Sequence, residues 1–330
     1  MESPCCIRRP IRKRRMINLL DLFSGIGGFH LGLSQAGFKV NSYYSEVDKY
    51  AIKTYNYNFK NSTYVGSVTD VRGSELPRIN AITFGSPCQD FSLAGKRKGM
   101  EGSRSSLILE AIRLIKECRP DFFIWENVKG TFSSNNRQDF AAILQAFTNI
   151  GGYRLEWQLL NTKWFLPQNR ERIYLVGYTP NKSKGQVFPI GENCFKNIKL
   201  QRQQGNTCTL TTRYEAGGNG SYIIERELNA QKVIGYSRDK KGKVISYHEK
   251  DEANTLHSSS GGGGNTDQYI TNQQNIRRLT PLECERLQGF PDNWTLAEDN
   301  SDTQRYKMIG NAVTVDVVKA VGEKIIKTLY

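Results

Sequence analysis

The chain has 330 residues, of which 38% are hydrophobic, so it is long enough to bury a full core and to divide into two domains. No apolar run reaches membrane-spanning length, and no apolar segment of the secretory kind follows the basic N-terminus, so a membrane protein and an exported protein are both disfavoured. The seven cysteines are an odd number without a CxxC pair, which argues against a disulfide framework or a zinc site and for a reducing cytoplasm.

The formal net charge of +14 favours a polyanionic partner, and nucleic acid is the first candidate. A basic N-terminal arm, residues 1–15, accounts for +5 of this charge and leaves +9 for the remainder. The arm by itself could be only a solvated segment. Because the rest of the chain is also basic, the expectation of a nucleic-acid partner does not depend on the arm.

The first predicted element is an apolar strand, MINLLDLF, followed by a glycine-rich turn and a helix that carries Phe29, Leu31 and Leu33. Glycine permits a tight turn and the close approach of a ligand, and the N-terminus of the helix favours negative charge. The dinucleotide fingerprint GxGxxG would need a glycine where His30 stands, so a nicotinamide site is disfavoured.

Two acidic residues follow the next two predicted strands. Glu46 comes at the end of FKVNSYYSE, 18 residues beyond Gly28, close to the offset at which a carboxylate binds ribose hydroxyls in nucleotide-binding sheets. Asp70 follows a short strand predicted within TYVGSVTDV. Each could be only a helix-capping acid, but together with the glycine turn they indicate an adenosine pocket.

INAITFG and PDFFIWEN predict two further strands, separated by a helix at about residues 105–118. Strands that alternate with helices predict an α/β fold of the Rossmann-like type, with a parallel sheet that is covered on both faces. Ligands bind such sheets at the carboxyl ends of the strands. We therefore expect the functional site at that edge.

Four reactive side chains are expected at this edge. In GSPCQDFS, Cys88 follows a proline after an apolar strand and is either a buried filler or a nucleophile. Glu126 ends an apolar strand, where partial desolvation would suit proton donation, although it could equally cap the next segment. Arg170 and Arg172 in PQNRERIYLVG are two residues apart before another strand and should face one side; exposed arginine pairs are otherwise usually solvated.

With these motifs in this order, the sequence strongly resembles the cytosine-5 DNA methyltransferase family over about residues 16–325. The matching blocks are DLFSGIGGF, SEVDKYA, TDV, GSPCQDFS, ENV, QNRERIYLVG, RRLTPLECERLQGFPD and YKMIGNAV. The resemblance implies a DNA (cytosine-5-)-methyltransferase that uses S-adenosylmethionine, needs no metal and acts on double-stranded DNA. It also implies a Rossmann-like methyltransferase domain at residues 16–177, completed by 304–330, and a smaller target-recognition domain at 178–303.

The resemblance also implies roles for the reactive residues. Cys88 would add to carbon 6 of a cytosine that is flipped out of the duplex, which makes carbon 5 nucleophilic enough to accept a methyl group. Glu126 would hold ring nitrogen 3 and the exocyclic amine, and Arg172 would bind the carbonyl oxygen at ring position 2. Arg170 would brace the loop that bears Cys88.

For the cofactor, the resemblance implies that Phe23 stacks near the adenine, Glu46 binds the ribose hydroxyls, Asp70 binds the adenine amine and Asn311 binds the amino-acid end. Gly25 and Gly27 would allow the methionine moiety to approach. The complete predicted pocket comprises Phe23, Gly25, Gly27, Glu46, Val47, Asp70, Val71, Pro87, Leu107, Asn311 and Val313.

Two segments are predicted to contact DNA. The stretch after Cys88 has the small and basic composition of a loop that closes on DNA, although Ser105 stands where the family usually has glycine. Residues 178–276 contain a weak repeat between 206–223 and 252–270, whose GGGG could be a linker but by position favours a DNA-reading loop. The predicted DNA-binding residues are Gln89, Ser92, Arg104, Arg213, Tyr214, His257 and Ser258.

A tRNA cytosine methyltransferase on the same fold and a catalytically inactive DNA-binding homologue are the alternative functions. The long interval after Gly177 disfavours the first, and the presence of every chemical residue disfavours the second. We expect a cytoplasmic, nucleoid-associated monomer. The recognised DNA sequence, and whether a cognate restriction endonuclease acts on the same site, stay open at this point.

Overall fold

The computed structural model describes residues 15–86, 106–133, 138–180, 184–191, 207–208, 222–225, 231–238, 244–250, 279–297 and 300–330. The main strands are β1 (Arg15–Leu22), β2 (Phe38–Ser45), β3 (Thr63–Tyr64), β4 (Ala81–Gly85), β5 (Phe122–Val128), β6 (Arg154–Asn161) and β8 (Glu171–Tyr178). They form one sheet in the order β3-β2-β1-β4-β5-β8-β6. The pairs from β3 to β5 are parallel, so the mostly parallel sheet predicted from the sequence is confirmed.

Helices cover both faces of this sheet. They are α1 (Gly28–Ala36), α2 (Lys49–Asn58), α3 (Ser106–Cys118), α4 (Gly130–Ser133), α5 (Gln138–Thr148), α6 (Pro281–Leu287), α7 (Asp302–Asn311) and α8 (Val315–Leu329), with 3₁₀ turns at Gly73–Glu75 and Thr162–Trp164. Alternate residues of β5 enter two different cores. Ile124 packs in the core that contains α1 and α8, and Trp125 packs in the core that contains α3 and α5. A strand buried on both faces explains the continuous apolar run in the sequence.

The last helix, α8, returns to pack on the first helix, α1. A Cβ atom on Gly32 would lie 2.6 Å from Val318, and one on Gly322 would lie 2.7 Å from the Cβ of Ala36. These two glycines therefore allow the helix backbones to approach closely. The contact brings the segment before α8 to the glycine turn, as the resemblance implied when it placed Val313 in the same pocket as Gly25 and Gly27.

Strand β8 departs from the parallel arrangement, because it is antiparallel to both of its neighbours, β5 and β6. Only residues 162–170 connect β6 to β8. A parallel connection between adjacent strands needs a crossover of a dozen or more residues, so this short connection requires the antiparallel direction. As a consequence, the first residues of β8 lie at the carboxyl edge of the parallel strands.

The remaining strands of the described residues are one just before β8 and four after β8. β7 (Gln168–Asn169) pairs with β9 (Thr207–Cys208), and β10 (Tyr222–Glu225), β11 (Gln231–Arg238) and β12 (Val244–Lys250) form an antiparallel sheet. The predicted domain limits stay predictions. Val187 and Trp294 lie within the predicted small domain, yet each packs into a core that also contains residues of α1, α2 or α8, or of the turn before α1.

One local expectation differs in detail from the structure, and another is confirmed. Arg15, placed in the N-terminal arm, is the first residue of β1, and its guanidinium lies 3.6 Å from the centre of the Tyr330 ring. Asp70 follows a short strand, as predicted: it lies in a turn six residues beyond the two-residue strand β3. In the part of the chain that the structure describes, no helix has the length and apolar character needed to span a membrane, and no group of three or more His, Cys, Asp or Glu could hold a metal ion.

Candidate active site

The glycine-rich turn between β1 and α1 has the left-handed backbone that its sequence requires. Gly25 has a φ of 54° and Gly27 a φ of 85°, and Phe23 also has a positive φ, 51°. A Cβ atom on Gly25 would meet no atom within 4 Å, whereas one on Gly27 would clash with the ring of Phe59. The open space that a ligand could occupy is therefore beside Gly25, and Gly27 also serves the packing of Phe59.

Glu46, directly after β2, ties the glycine turn to the start of α2. Its Oε2 accepts a hydrogen bond from the backbone N–H of Gly25 at 2.8 Å. Its Oε1 accepts from the N–H groups of Val47 at 2.7 Å and Asp48 at 3.0 Å. Each carboxylate oxygen can accept more than one hydrogen bond, so capacity for ribose hydroxyls remains. Val47 next to it is 76% exposed, an unusual environment for valine and one that a stacked ring would cover.

Asp70 and Val71 lie in the turn that follows β3. Asp70 is exposed and its Oδ1 accepts a hydrogen bond from the hydroxyl of Thr69 at 3.1 Å, whereas Val71 is buried. Leu107, in the first turn of α3, packs beside the same core as Val71. Strand order places these residues and Glu46 along one edge of the sheet.

The segment between α7 and α8 reaches the glycine turn from the C-terminal end of the chain. Val313 is buried, and a Cβ atom on Gly28 would lie 2.7 Å from its Cγ2, so glycine is needed at position 28 for this contact. Asn311 is exposed two residues earlier. The structure therefore brings Val313 against the turn that carries Gly25.

Arg170 holds this C-terminal segment. Its guanidinium is buried and donates to the carbonyl oxygens of Gly310 at 3.3 Å and Ala312 at 2.8 Å. The predicted brace on the loop bearing Cys88 falls on residues outside those described. What the structure does reveal is a contact with residues on either side of Asn311, a role that the sequence did not suggest.

Glu126 and Arg172 form a buried ion pair at the carboxyl edge of the sheet. Nε of Arg172 lies 3.1 Å from Oε1 of Glu126, and the two side chains are only 13% and 10% exposed. In the antiparallel ladder Glu126 lies opposite Tyr174, so Arg172 is its diagonal neighbour on the same face. Burial, and then the charge of Glu126, raise the pKa of the Tyr174 phenol well above its ordinary value.

The carboxylate of Glu126 retains capacity to bind a ligand. Among the described residues, no hydrogen bond of good geometry reaches its buried Oε1, although the Arg172 cation lies beside that atom. On the neighbouring strand Gly85 leaves space for the other oxygen, since a Cβ atom there would lie 3.1 Å from Oε2. A buried polar atom is normally hydrogen-bonded, so Oε1 of Glu126 is a candidate acceptor for a ligand.

The chain just before Cys88 is anchored to β5. Nδ2 of Asn127 donates to the carbonyl oxygen and the hydroxyl of Ser86, both at 3.1 Å, and the indole N–H of Trp125 donates to the same hydroxyl at 3.0 Å. Ser86 and Asn127 thus fix the end of β4 against the strand that carries Glu126. Both residues lie in motifs that were noted in the sequence, but the sequence predicted no role for either of them.

A buried polar cluster lies beneath the glycine turn. The hydroxyl of Thr83 donates to Asp21 at 2.7 Å, and burial raises the pKa of Asp21 to about 8, with the Glu46 charge adding to the effect. Burial lowers the pKa of His30 to about 4, and its ring stacks on Phe59 at 3.7 Å between centroids. Asp21 and His30 are therefore both neutral at pH 7.

Ser24 is a further residue that the sequence reasoning did not select. Within the described structure its buried hydroxyl has no hydrogen-bond partner, and it lies between Phe23 and Gly25 in the predicted cofactor turn. The only feature of the sequence that could have indicated Ser24 as a candidate binding residue is its hydroxyl within a glycine-rich turn. The predicted residues that lie outside the described part of the chain are Pro87, Cys88, Gln89, Ser92, Arg104, Arg213, Tyr214, His257 and Ser258.

Comparison with known proteins agrees with this arrangement. The model of the C-5 cytosine-specific DNA methylase family matches residues 17–327. The type II methyltransferase M.Bsp6I of Bacillus sp. (strain RFL6) is 32% identical over 95% of this chain and its own full length. The type II methyltransferase M1.ScrFI of Lactococcus lactis subsp. cremoris is 34% identical over 96% of this chain and 80% of its own.

Solved structures show the same fold. The Entamoeba histolytica methyltransferase EhMeth has a TM-score of 0.62 at 19% identity, covering 95% of this chain and 98% of its own. The S. pombe Dnmt2 methyltransferase has a TM-score of 0.63 at 18% identity, covering 94% and 99%. With the fold and the family model in agreement, the predicted enzyme class, a DNA cytosine-5 methyltransferase, is confirmed, and the chain belongs to the C-5 cytosine-specific DNA methylase family.

Proposed function

We propose that this enzyme transfers a methyl group from S-adenosylmethionine to carbon 5 of a cytosine flipped out of a specific site in duplex DNA, through a covalent adduct with Cys88. The observation that carries the proposal is the buried Glu126 carboxylate, paired with Arg172 at 3.1 Å and still able to accept hydrogen bonds. A cytosine protonated at nitrogen 3 would present two adjacent N–H groups to such a carboxylate. The stacked duplex hides this edge of the base, so flipping is required.

The anchor at Ser86 supports Cys88 as the nucleophile. Cys88 is two positions after Ser86 in the chain. Covalent geometry limits the distance between the Cα atoms of such residues to about 7 Å, so the anchor at Ser86 restricts how far Cys88 can be from the end of β4. Glu126 lies in register with Gly85 on the adjacent strand. Addition of the Cys88 thiolate to carbon 6 would move electron density to carbon 5, with Glu126 holding the proton on nitrogen 3. After methylation, loss of the carbon 5 proton and expulsion of the thiolate would restore the aromatic ring.

The residues around the glycine turn fit S-adenosylmethionine. Four features lie together at the edge of β1 and β2: the open side of Gly25, the acceptor capacity of Glu46, the exposed face of Val47, and the hydroxyl of Ser24, which has no partner among the described residues. When bound, the cofactor supplies an electrophilic methyl group. These residues would bind and orient its ribose, adenine and amino-acid parts, and Asn311 would contact the amino-acid end.

We further propose that sequence choice resides within residues 178–276, with Arg213, Tyr214, His257 and Ser258 reading base edges. The antiparallel sheet β10–β12 in this interval differs in architecture from the parallel sheet, which supports a separate role. The similar proteins are named type II methyltransferases, so we propose that this chain also protects DNA in a restriction–modification system or modifies DNA alone. We expect it to act as a monomer in the cytoplasm.

A trapping experiment tests the covalent mechanism. Duplex DNA with 5-fluorocytosine at the target should form a denaturation-resistant adduct in the presence of S-adenosylmethionine, because the fluorine cannot leave as the carbon 5 proton does. Cys88→Ser should abolish the adduct while DNA binding persists, and Cys118→Ser is the matched control at a free cysteine away from the site. An adduct in Cys88→Ser would refute the assignment, and methylation of tRNA but not of duplex DNA would refute the substrate.

A further inference from the structure

The turn that carries Asp70 and Val71 is held by Arg113 of α3. Nη2 of Arg113 donates to the carbonyl oxygen of Val71 at 2.9 Å and to that of Val68 at 3.3 Å. These two carbonyl groups lie on either side of Asp70 along the chain. Arg113 therefore fixes the backbone both before and after the Asp70 carboxylate.

Arg113 is itself fixed by two glutamates of its own helix. Its Nε donates to Glu110 at 2.8 Å and its Nη1 to Glu117 at 2.7 Å. The other oxygen of Glu117 accepts from the N–H of Gly73 at 2.7 Å, so the same cluster also holds the end of the turn. Burial alone would raise the pKa of Glu117, but the hydrogen bonds from Arg113 and Gly73 lower it, and the carboxylate remains ionised.

The geometry requires a guanidinium and not only a positive charge. Arg113 uses Nε, Nη1 and Nη2 toward four acceptors in different directions, which the planar fork of arginine permits. A lysine ammonium has donors on a single atom and could not span the same acceptors. The side chain of Arg113 is 28% exposed, so packing in a hydrophobic core does not explain its four hydrogen bonds.

The Asp70 turn needs such support because regular structure does not hold it. The two-residue strand β3 ends at Tyr64, and within the turn the N–H of Asp70 donates to the carbonyl of Ser67 at 2.9 Å. Val71 anchors one side of the turn in the core, but Asp70 itself is exposed. The side-chain carboxylate can point correctly only if the backbone on both sides is held.

We infer that Arg113 is a positioning residue that sets Asp70 to select the adenine amine of the cofactor. This inference rests on the proposed S-adenosylmethionine site. A carboxylate accepts a hydrogen bond from the exocyclic amine of adenine, whereas hypoxanthine presents a carbonyl oxygen at the same position, which the carboxylate repels. The ratio of affinities for adenine and hypoxanthine ligands therefore reports on the placement of Asp70, and general loosening of the fold would weaken both ligands alike.

The experiment compares binding of S-adenosylhomocysteine and S-inosylhomocysteine by calorimetry. Wild type should prefer the adenine ligand by about tenfold or more, as expected for a hydrogen bond to a charged acceptor. Arg113→Gln should bind the two ligands with nearly equal affinity, and Arg113→Lys should retain part of the preference. The KM for S-adenosylmethionine should rise in both variants, while kcat at saturating cofactor changes much less.

Arg78→Gln is the matched control. Arg78 donates to the carbonyl oxygens of Cys118 and Arg119 and pairs with Asp121 at 3.3 Å. It therefore makes contacts of the same kind at the C-terminal end of α3, but to the segment between α3 and β5 and not to the carbonyl oxygens on either side of Asp70. This variant should keep the wild-type preference. A wild-type preference in Arg113→Lys, or in Arg113→Gln where that variant folds, would overturn the inference.

Two wild-type results separate this inference from the function on which it rests. If wild type binds both ligands equally, the role of Asp70 is wrong and the inference fails, while the cofactor site stands. If wild type binds neither S-adenosylhomocysteine nor S-adenosylmethionine, the proposed cofactor is wrong, and the inference falls with it.

Discussion

Glu46→Gln should weaken the binding of S-adenosylmethionine because it disturbs the carboxylate that joins the glycine turn to α2. In the structure Oε2 accepts the N–H of Gly25 at 2.8 Å, and Oε1 accepts the N–H groups of Val47 and Asp48. Glutamine has one carbonyl oxygen and one NH₂ group. In either orientation of the amide, the NH₂ group would face a backbone donor, so at least one of these bonds is lost.

The size of the effect follows from the number of bonds and their exposure. A hydrogen bond to a charged group contributes about 1.5–3 kcal/mol, and the half-buried position of Glu46 places each bond toward the lower end. Loss of the charge that would assist the ribose hydroxyls should cost about 2–3 kcal/mol of binding free energy, and the lost Gly25 bond would in addition loosen the turn. This corresponds to a dissociation constant about 30- to 150-fold larger.

Calorimetric titration with S-adenosylmethionine measures this change directly. Glu75→Gln, at an exposed glutamate in the 3₁₀ turn Gly73–Glu75, is the matched control because it removes the same charge elsewhere on the surface. Unchanged affinity in Glu46→Gln, or an equal loss in Glu75→Gln, would refute the reasoning.

Three further predictions address the ion pair, the buried acid and the reading of DNA. Arg172→Met should lower the free energy of unfolding by about 3–5 kcal/mol, because it leaves Glu126 buried without its cation; a wild-type urea midpoint would contradict this. The raised pKa of Asp21, about 8, means that the folded state keeps a proton that the unfolded chain releases above pH 3.8. The contribution of Asp21 to stability should therefore fall as pH rises from about 4 to 8, whereas His30, with its pKa lowered to about 4, has the opposite effect up to its ordinary pKa of 6.5. Asp21→Asn should flatten the fall between pH 6.5 and 8 in pH-dependent unfolding, and an unaltered slope would count against the assignment. Arg213→Ala should relax base preference at one position, at a cost of about 1–3 kcal/mol, in methylation profiling of a randomised duplex library; a uniform loss across all sequences would indicate a phosphate contact instead.

Much of the fold of the first half of the chain could be predicted because its signals are local. The turn between β1 and α1 needs positive φ angles, and the glycines that permit them are visible in the sequence. The apolar run that ends at Glu126 forms the buried strand β5, and the helix expected at about 105–118 is α3, Ser106–Cys118. The family was identifiable for a related reason, since its motifs are short blocks in a fixed order.

The partners of individual side chains were less predictable. The predicted brace of Arg170 on the segment bearing Cys88 stays a prediction, because that segment lies outside the described residues. The sequence did not indicate that Arg170 also donates to the carbonyl oxygens of Gly310 and Ala312, 140 residues or more away along the chain. The role of Arg113 was not anticipated, because an arginine flanked by glutamates on a helix resembles an ordinary solvated face. Its backbone acceptors belong to a turn more than 40 residues earlier.

The amino-acid sequence by itself determined the local elements of this protein, the glycine turn and the types of reactive side chain, because periodicity, turn geometry and motif spacing depend on neighbouring residues. Only the tertiary structure decided which of these side chains meet. The antiparallel direction of β8 places Arg172 beside Glu126, and the packing of α8 on α1 brings Val313 to the glycine turn. Strand direction and helix packing depend on contacts between residues distant in sequence, and no local pattern encodes those contacts.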